Sequence, residues 1–338
     1  MKQLIKFSKP SIAVIKNKAS FFNENESLLK RIKKINTYYV EQPKRTNCKT
    51  CSEKIDKPHL MVHGVPYCIC LKCGHFNGLH EDTIEFSNFL YFDEDGKGYA
   101  TNYKENYSAR VVDIYKPKVE FLIECLKLIE NVDVLNVTDI GCGGGHFVKA
   151  LEDIKISAVG YDTNKQLISL GNKNLTLNNL EYIAIHDINK YILNSDSQVL
   201  SLVGVLEHLI EPNKALDAFN KSKSKYLYLQ VPLFSFSALL ESIHPNVFPR
   251  QLNAGHTHLY TQKSINYLCS KYNLSIIGEW WFGTDMVDLF RHLQVMGNSE
   301  SSKEITQALF GEMIDDLQST FDKKKLCSGV NMILKKRV

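Results

Sequence analysis

Four cysteines are spaced for metal chemistry. Cys48 and Cys51 form one C-x2-C in "NCKTC", and Cys70 and Cys73 form a second in "CLKCG", with eighteen residues between the two pairs. Each tight turn offers two thiolates, and two such turns can close a tetrahedron around one Zn²⁺. A closed four-thiolate site leaves no coordination position for a substrate, so zinc held there is structural. Gly74 suits the turn that wraps such a knuckle. Cys68 is a spare that could replace Cys70 as ligand, at a worse spacing, and His63, His75 and His80 lie nearby and are redundant.

A second constellation begins at "VTDIGCGGGHFVKALED", where Gly141, Gly143, Gly144 and Gly145 separate an apolar run from a helix-like pattern. Glycines at a strand-to-helix junction let a ligand approach the backbone closely. Asp139 stands two residues before the first glycine. Asp162 follows about twenty residues on, where a nicotinamide or an adenosyl ribose would present its hydroxyls. Asp187 in "HDI", the segment "GVLEHL" with Glu207 and His208, and "AGHTHLYT" with His256 and His258 supply further polar groups.

The elements that must position these residues alternate after residue 115. A helix with Val119, Leu122, Cys125, Leu126 and Ile129 at helical spacing precedes a strand over 134–140. A second strand is expected over 156–162, then further strands at "LEYIAIHD", "QVLSLVGVL", "KYLYLQVPLF", "LSIIGEWWF" and "CSGVNMILKKR", separated by helices. This order predicts an α/β fold: an open, mostly parallel sheet with helices on both faces, its ligands at the carboxyl ends of the strands. Residues 283–325 interrupt the last two strands and read as two helices broken at 297–302.

The first motif and "GVLEHLIEPNKAL" together resemble the class I S-adenosylmethionine-dependent methyltransferases over roughly residues 116–338. The resemblance implies a Rossmann-like sheet and S-adenosylmethionine as cofactor. It implies a cofactor loop with Asp139, Gly141, Gly143 and Gly145, a ribose contact at Asp162 and an adenine contact at Asp187 and Ile188. Gly204, Val205 and Leu206 would line the cofactor pocket, and Tyr103 and Tyr107 of the connector would close over it. The cysteine module followed by this domain is similar to zinc-ribbon methyltransferases of sugar and surface-polysaccharide biosynthesis. That implies a sugar or nucleotide-linked sugar as acceptor, methylated on oxygen or carbon.

Methyl transfer is an in-line displacement in which the acceptor often loses a proton. Histidine titrates near neutrality, so His256 is the first candidate for general base and His208 the second. His258 and Glu207 complete the catalytic set. Arg250 is placed to meet a phosphate. No Pro-Pro-aromatic motif follows the fourth strand, which disfavours a nucleic-acid base as acceptor. An RNA substrate held by ribbon and basic arm, or a non-catalytic cofactor-binding module, are the alternatives.

The chain has 338 residues, and its net charge of +4 is uneven. Residues 1–45 hold 11 Lys/Arg and 3 Asp/Glu, a net of +8, which leaves −4 for the rest. The expected organisation is a basic arm (1–45), a zinc-ribbon module (46–95), a Tyr-rich connector or lid (96–115) and a methyltransferase domain (116–338) with a helical insert at 283–325. No apolar run is long enough to span a membrane and no signal-peptide core is present, so a cytoplasmic location with reduced thiols is expected. The helical insert could wall the acceptor site or pair with a second copy.

Overall fold

Eight strands form one sheet in the order β1-β11-β12-β9-β8-β5-β6-β7. They are β1 (Leu4–Phe7), β5 (Asn136–Ile140), β6 (Ser157–Asp162), β7 (Leu180–Tyr182), β8 (Val199–Val203), β9 (Tyr226–Pro232), β11 (Leu274–Phe282) and β12 (Gly329–Lys336). The computed structural model describes residues 3–11, 15, 20–92, 106–130, 132, 135–252, 255–297 and 299–337. β5 to β9 run parallel to one another, and β12 is antiparallel to both its neighbours. The central strands read as apolar runs because helices cover both faces of the sheet. On one face Ala215 and Phe219 of the helix Pro212–Lys221 pack with Ile265 and Leu268 of the helix Gln262–Lys271. On the other, Val119, Phe121, Leu122 and Cys125 of the helix Lys116–Glu130 meet Phe147 and Leu151 of the helix His146–Glu152. Phe121 and Phe219 are fully buried, each worth roughly 1.5–3 kcal/mol of transfer free energy.

The chain order reverses between β5 and β8. β6 and β7 lie to one side of β5, and β8 and β9 to the other. Ligands of doubly wound sheets bind outside the strand ends at such a switch. In this chain that is where "GCGGG" and "GVLEH" emerge side by side.

A four-stranded sheet carries the cysteine module, in the order β10-β4-β3-β2: β2 (Leu60–Val62), β3 (Val65–Ile69), β4 (Phe76–Gly78) and β10 (His258–Leu259). The helix Asn25–Val40 packs Ile32, Ile35 and Tyr39 onto this sheet beside Val65, Tyr67, Phe76 and Leu259. Its Lys30, Lys33 and Lys34 stay exposed.

Two features cut across the expected organisation. Leu4–Phe7, within the expected arm, is the edge strand of the large sheet, paired in parallel with Gly278–Trp281 of β11. β10, from the expected methyltransferase segment, pairs with β4 of the small sheet. The segment 283–325 forms three helices rather than two, Asp285–Met296, Glu300–Phe310 and Ile314–Lys323. A short 3-10 turn, Gly311–Met313, divides what the sequence offered as the second. Among the described residues no helix is long and apolar enough to cross a membrane.

Candidate active site

Asp139, near the end of β5, pairs in register with Ser201 of β8 and accepts a hydrogen bond from its hydroxyl at 2.6 Å. Burial pushes the Asp139 carboxyl up to about 7, although the Ser201 bond pulls the other way. Asp139 thus braces the two strands at the switch and lies beneath the ligand cavity rather than in its wall.

The glycine loop follows. Gly141 has φ +71°, and a Cβ there would come within 2.5 Å of Val205 Cγ2, so only glycine lets the loop lie against "GVLEH". Gly143 donates its N–H to Asp162 Oδ2 at 2.8 Å, and Asn164 donates to Oδ1 at 2.8 Å. Asn164 in turn caps the helix Lys165–Asn172. Asp162 at the tip of β6 therefore holds the loop and has further lone pairs at the cavity. Burial is the main influence on its carboxyl and raises it.

The cavity at this point is walled by Gly141, Gly143, Asp162 and Asn164 on one side and Val203, Gly204 and Val205 on another. Ile183, Ile185 and Ile188 give it an apolar slot, and Tyr91, Tyr115 and His208 stand at its mouth. Ile188 takes the place expected of it. Asp187 does not wall the cavity, and its partly exposed carboxylate faces His186 at 3.8 Å. Gly145, also expected in the cofactor loop, is absent from the wall. A Cβ there would meet Leu180 Cδ1 at 2.5 Å, so its task is packing. Tyr107 likewise stays behind the loop: its hydroxyl donates to the Gly144 carbonyl at 2.9 Å, and its ring stacks on His146. Tyr103 lies outside the described residues. Tyr91 and Tyr115 were not singled out by sequence, although Tyr115 closes the Tyr-rich connector expected over 96–115; no motif marks Tyr91.

A second cavity of about 660 Å³ opens beside the first and shares Tyr115, Val203, Gly204 and His208 with it. Glu207, His208 and His256 meet there. Among the three, ligand-capable atoms all lie within 4.8 Å of one another, with His208 Nε2 3.8 Å from Glu207 Oε1. His208 Nδ1 donates to the Gly255 carbonyl at 2.7 Å, and His256 Nδ1 donates to the Gln251 carbonyl at 2.8 Å. Burial lowers His208 to about 4 and raises Glu207 to about 8. The fourth catalytic candidate, His258, is elsewhere. It is fully buried in the small sheet, with Nδ1 2.9 Å from His75 Nε2, and it lines neither cavity. A bend at Thr257 separates its course from that of His256.

The wall of the second cavity is cationic. Lys9, Arg110, Lys118 and Arg250 line it, with the aromatic faces of Trp280 and Phe282. Lys9 sits over the Phe282 ring, 4.1 Å from its centroid, and burial together with the neighbouring Arg250 lowers its amine to about 8. Arg250 is held by Asp288, with Nε 2.9 Å from Oδ1 and Nη2 2.6 Å from Oδ2. Asp285, Asp288 and Arg291, on the helix Asp285–Met296, are fully buried. Asp285 accepts from Ser235 and Ser237, and Asp288 anchors Arg250.

The four cysteines meet as their spacing requires. Cys48 Sγ and Cys73 Sγ are 3.5 Å apart, as are Cys51 Sγ and Cys70 Sγ, and all four sulfurs lie within 4.8 Å of one another. A tetrahedron with Zn–S bonds of about 2.3 Å separates its sulfurs by about 3.8 Å, so the set fits zinc. Within the cluster the hydrogen bond between Cys48 and Cys73 lowers the Cys48 thiol and raises that of Cys73, and burial raises Cys51; a bound metal would hold all four as thiolates. Cys68 points away, toward the Ile69 carbonyl.

The family model described as "Methyltransferase domain" matches residues 108–279. The chain belongs to that family and is an S-adenosylmethionine-dependent methyltransferase. No curated protein matches it by sequence. Solved structures that resemble it include magnesium protoporphyrin IX methyltransferase from Synechocystis, with a TM-score of 0.47 and 13% identity over 73% of this chain and 97% of that one. A plantazolicin methyltransferase has a TM-score of 0.45 and 14% identity over 73% and 93%. A methyltransferase from Archaeoglobus fulgidus has a TM-score of 0.41 and 16% identity over 65% and 92%.

Proposed function

We propose that the protein methylates a small anionic acceptor, a sugar or nucleotide-linked sugar, on oxygen or carbon. One observation carries this reading. The cavity that shares His208 and Gly204 with the cofactor pocket has four basic side chains in its wall and two aromatic faces. Cations suit phosphate or carboxylate oxygens, and flat apolar faces suit a sugar or base ring.

Gly141 and Gly143 would give the cofactor's chain close access to the backbone, and Asp162 would accept its ribose hydroxyls. Ile183, Ile185 and Ile188 would flank the adenine. When bound, the cofactor supplies an electrophilic methyl group on a sulfonium. The residues of this chain align the acceptor, exclude water through Tyr91 and Tyr115, and take up the acceptor's proton at the cluster of Glu207, His208 and His256. Zinc in the cysteine site is structural in this reading. It fixes the knuckle against the main domain, where Asn213 donates to the carbonyls of Lys49 and Thr50 and Thr261 donates to that of Gly74.

The test is transfer of an isotope-labelled methyl group by the purified protein, offered nucleotide-sugars and, separately, RNA. Label in the sugar fraction supports the reading. Label in RNA alone, or in neither, overturns it.

A further inference from the structure

Three side chains that can ligate a metal meet at the junction of the two cavities. A backbone carbonyl only accepts, so the contact from His208 Nδ1 to the Gly255 carbonyl places the ring proton on Nδ1. The contact from His256 Nδ1 to the Gln251 carbonyl does the same. In each neutral imidazole Nε2 is then the nitrogen with a lone pair suited to a metal. The third member, Glu207, is 4% exposed, and its Oε2 has no hydrogen-bond partner among the described residues. Two imidazoles and a buried carboxyl group thus each offer a ligand atom within 4.8 Å of the others, an arrangement that one cation can satisfy.

We infer that Glu207, His208 and His256 form a binding site for one divalent first-row metal ion, distinct from the four-cysteine site. The pattern around the histidines supports it. Metal-bound imidazoles almost always donate their other ring N–H to a carbonyl or carboxylate, which fixes the tautomer and the ring plane. Both rings here are held that way. The Gln251 carbonyl that orients His256 is itself fixed from behind: Glu241 Oε1 accepts the Gln251 N–H at 2.6 Å, and the Gln251 side chain donates to the carbonyls of Leu233 and Ser328.

The donor set selects the ion. Two imidazoles and a carboxylate suit Mn²⁺, Fe²⁺, Co²⁺, Ni²⁺ or Zn²⁺, whereas Mg²⁺ and Ca²⁺ favour all-oxygen ligation. Bonds of about 2.0–2.2 Å would draw the three ligand atoms somewhat closer than they stand. The remaining coordination positions face the second cavity, where an acceptor hydroxyl or phosphate oxygen has room. Without the ion the trio can take up the acceptor's proton, and with it the two Nε2 atoms would be committed to the metal; the ion's effect on turnover therefore rests on the proposed function, but its binding does not.

The experiment titrates Mn²⁺ into the full-length protein isolated with its cysteine site occupied, and follows free Mn²⁺ by electron paramagnetic resonance. Mn²⁺ is chosen because hard nitrogen and oxygen ligands hold it better than thiolates do. One Mn²⁺ should bind per chain. Glu207→Gln and His256→Ala should each weaken it by more than about tenfold, since even outer-shell changes cost that much. Neither residue walls the cofactor cavity, so retained S-adenosylhomocysteine affinity in both variants establishes that they fold. The inference fails if the wild type binds no Mn²⁺, or if both folded variants bind it as the wild type does. Mn²⁺ binding at the trio without methyl transfer to any sugar would leave this site standing and overturn the proposed acceptor.

Discussion

The imidazole of His208 donates to the carbonyl of Gly255 across 2.7 Å. This bond joins a wall of the cofactor cavity to the loop that carries His256, and the ring centroids of the two candidate catalytic histidines stand 5.1 Å apart. Substituting His256, which does not wall the cofactor cavity, should disturb turnover more than cofactor binding.

His256→Ala is expected to lower turnover by about 10²–10⁴-fold, the usual contribution of a positioned proton-transfer group. Steady-state kinetics alongside calorimetry with S-adenosylhomocysteine checks this, because His256 lines only the second cavity. Turnover within a factor of a few of wild type would remove His256 from the chemistry.

Asp162→Ala is expected to weaken cofactor binding by roughly 1.5–3 kcal/mol, the worth of hydrogen bonds to a charged group. Gly143 also loses its acceptor, so the loop should loosen as well. Asp162→Asn keeps one acceptor oxygen and should fall between the two. Calorimetric affinities of the three proteins give the ranking.

Lys9 offers a pH dependence with a definite sign. Its amine is lowered to about 8, so its charge is present below that pH and lost as pH rises through it. Affinity for an anionic acceptor should therefore drop above about pH 8. Lys9→Ala should abolish that drop and raise KM by roughly ten- to a hundredfold, the equivalent of one charged hydrogen bond, with kcat little changed. KM measured across this range for wild type and variant decides it.

The ligand-free protein should also carry the mark of Asp139. With its carboxyl raised to about 7, the folded chain keeps a proton that the unfolded chain releases near pH 4. Stability then falls as pH rises between those values. Asp139→Asn can still accept from Ser201 and should flatten the fall. Thermal midpoints recorded from about pH 5 to pH 8 test the slope. An unchanged slope would mean that Asp139 ionises freely in the fold.

The cysteine module should hold one zinc per chain by elemental analysis. Cys48→Ser should unfold the knuckle, because thiolate–metal bonds supply its folding energy. The effect should reach the segment 255–261 through Thr261 and Gly74. Hydrogen exchange there reads it out.

Local signals made the core legible. The apolar runs of β5, β8 and β9, the glycines at the first junction and the paired cysteines each carry their meaning within a few residues. What escaped depends on distant partners. Leu4–Phe7 is too short and too mixed to announce a strand, and it becomes one only because β11 offers an open edge. Asp288 and Arg291 lie on an amphipathic helix, where charge normally faces water. Their burial follows from Arg250 reaching in from a different loop. His256 and His258 look alike in sequence, and only the pairing of β10 with β4 sends the second into the small sheet.

The edge strand has a bearing on how the molecule comes together. Leu4 pairs with Gly278, and joining ends so far apart costs loop-closure entropy before any contact rewards it. β1 should therefore dock late, onto a sheet already built, and carry Lys9 with it into the acceptor cavity. The methyltransferase core can then be assembled and bind its cofactor while the acceptor side is still unfinished. A bulky fusion placed before Leu4 would impair acceptor recognition first and leave cofactor affinity intact.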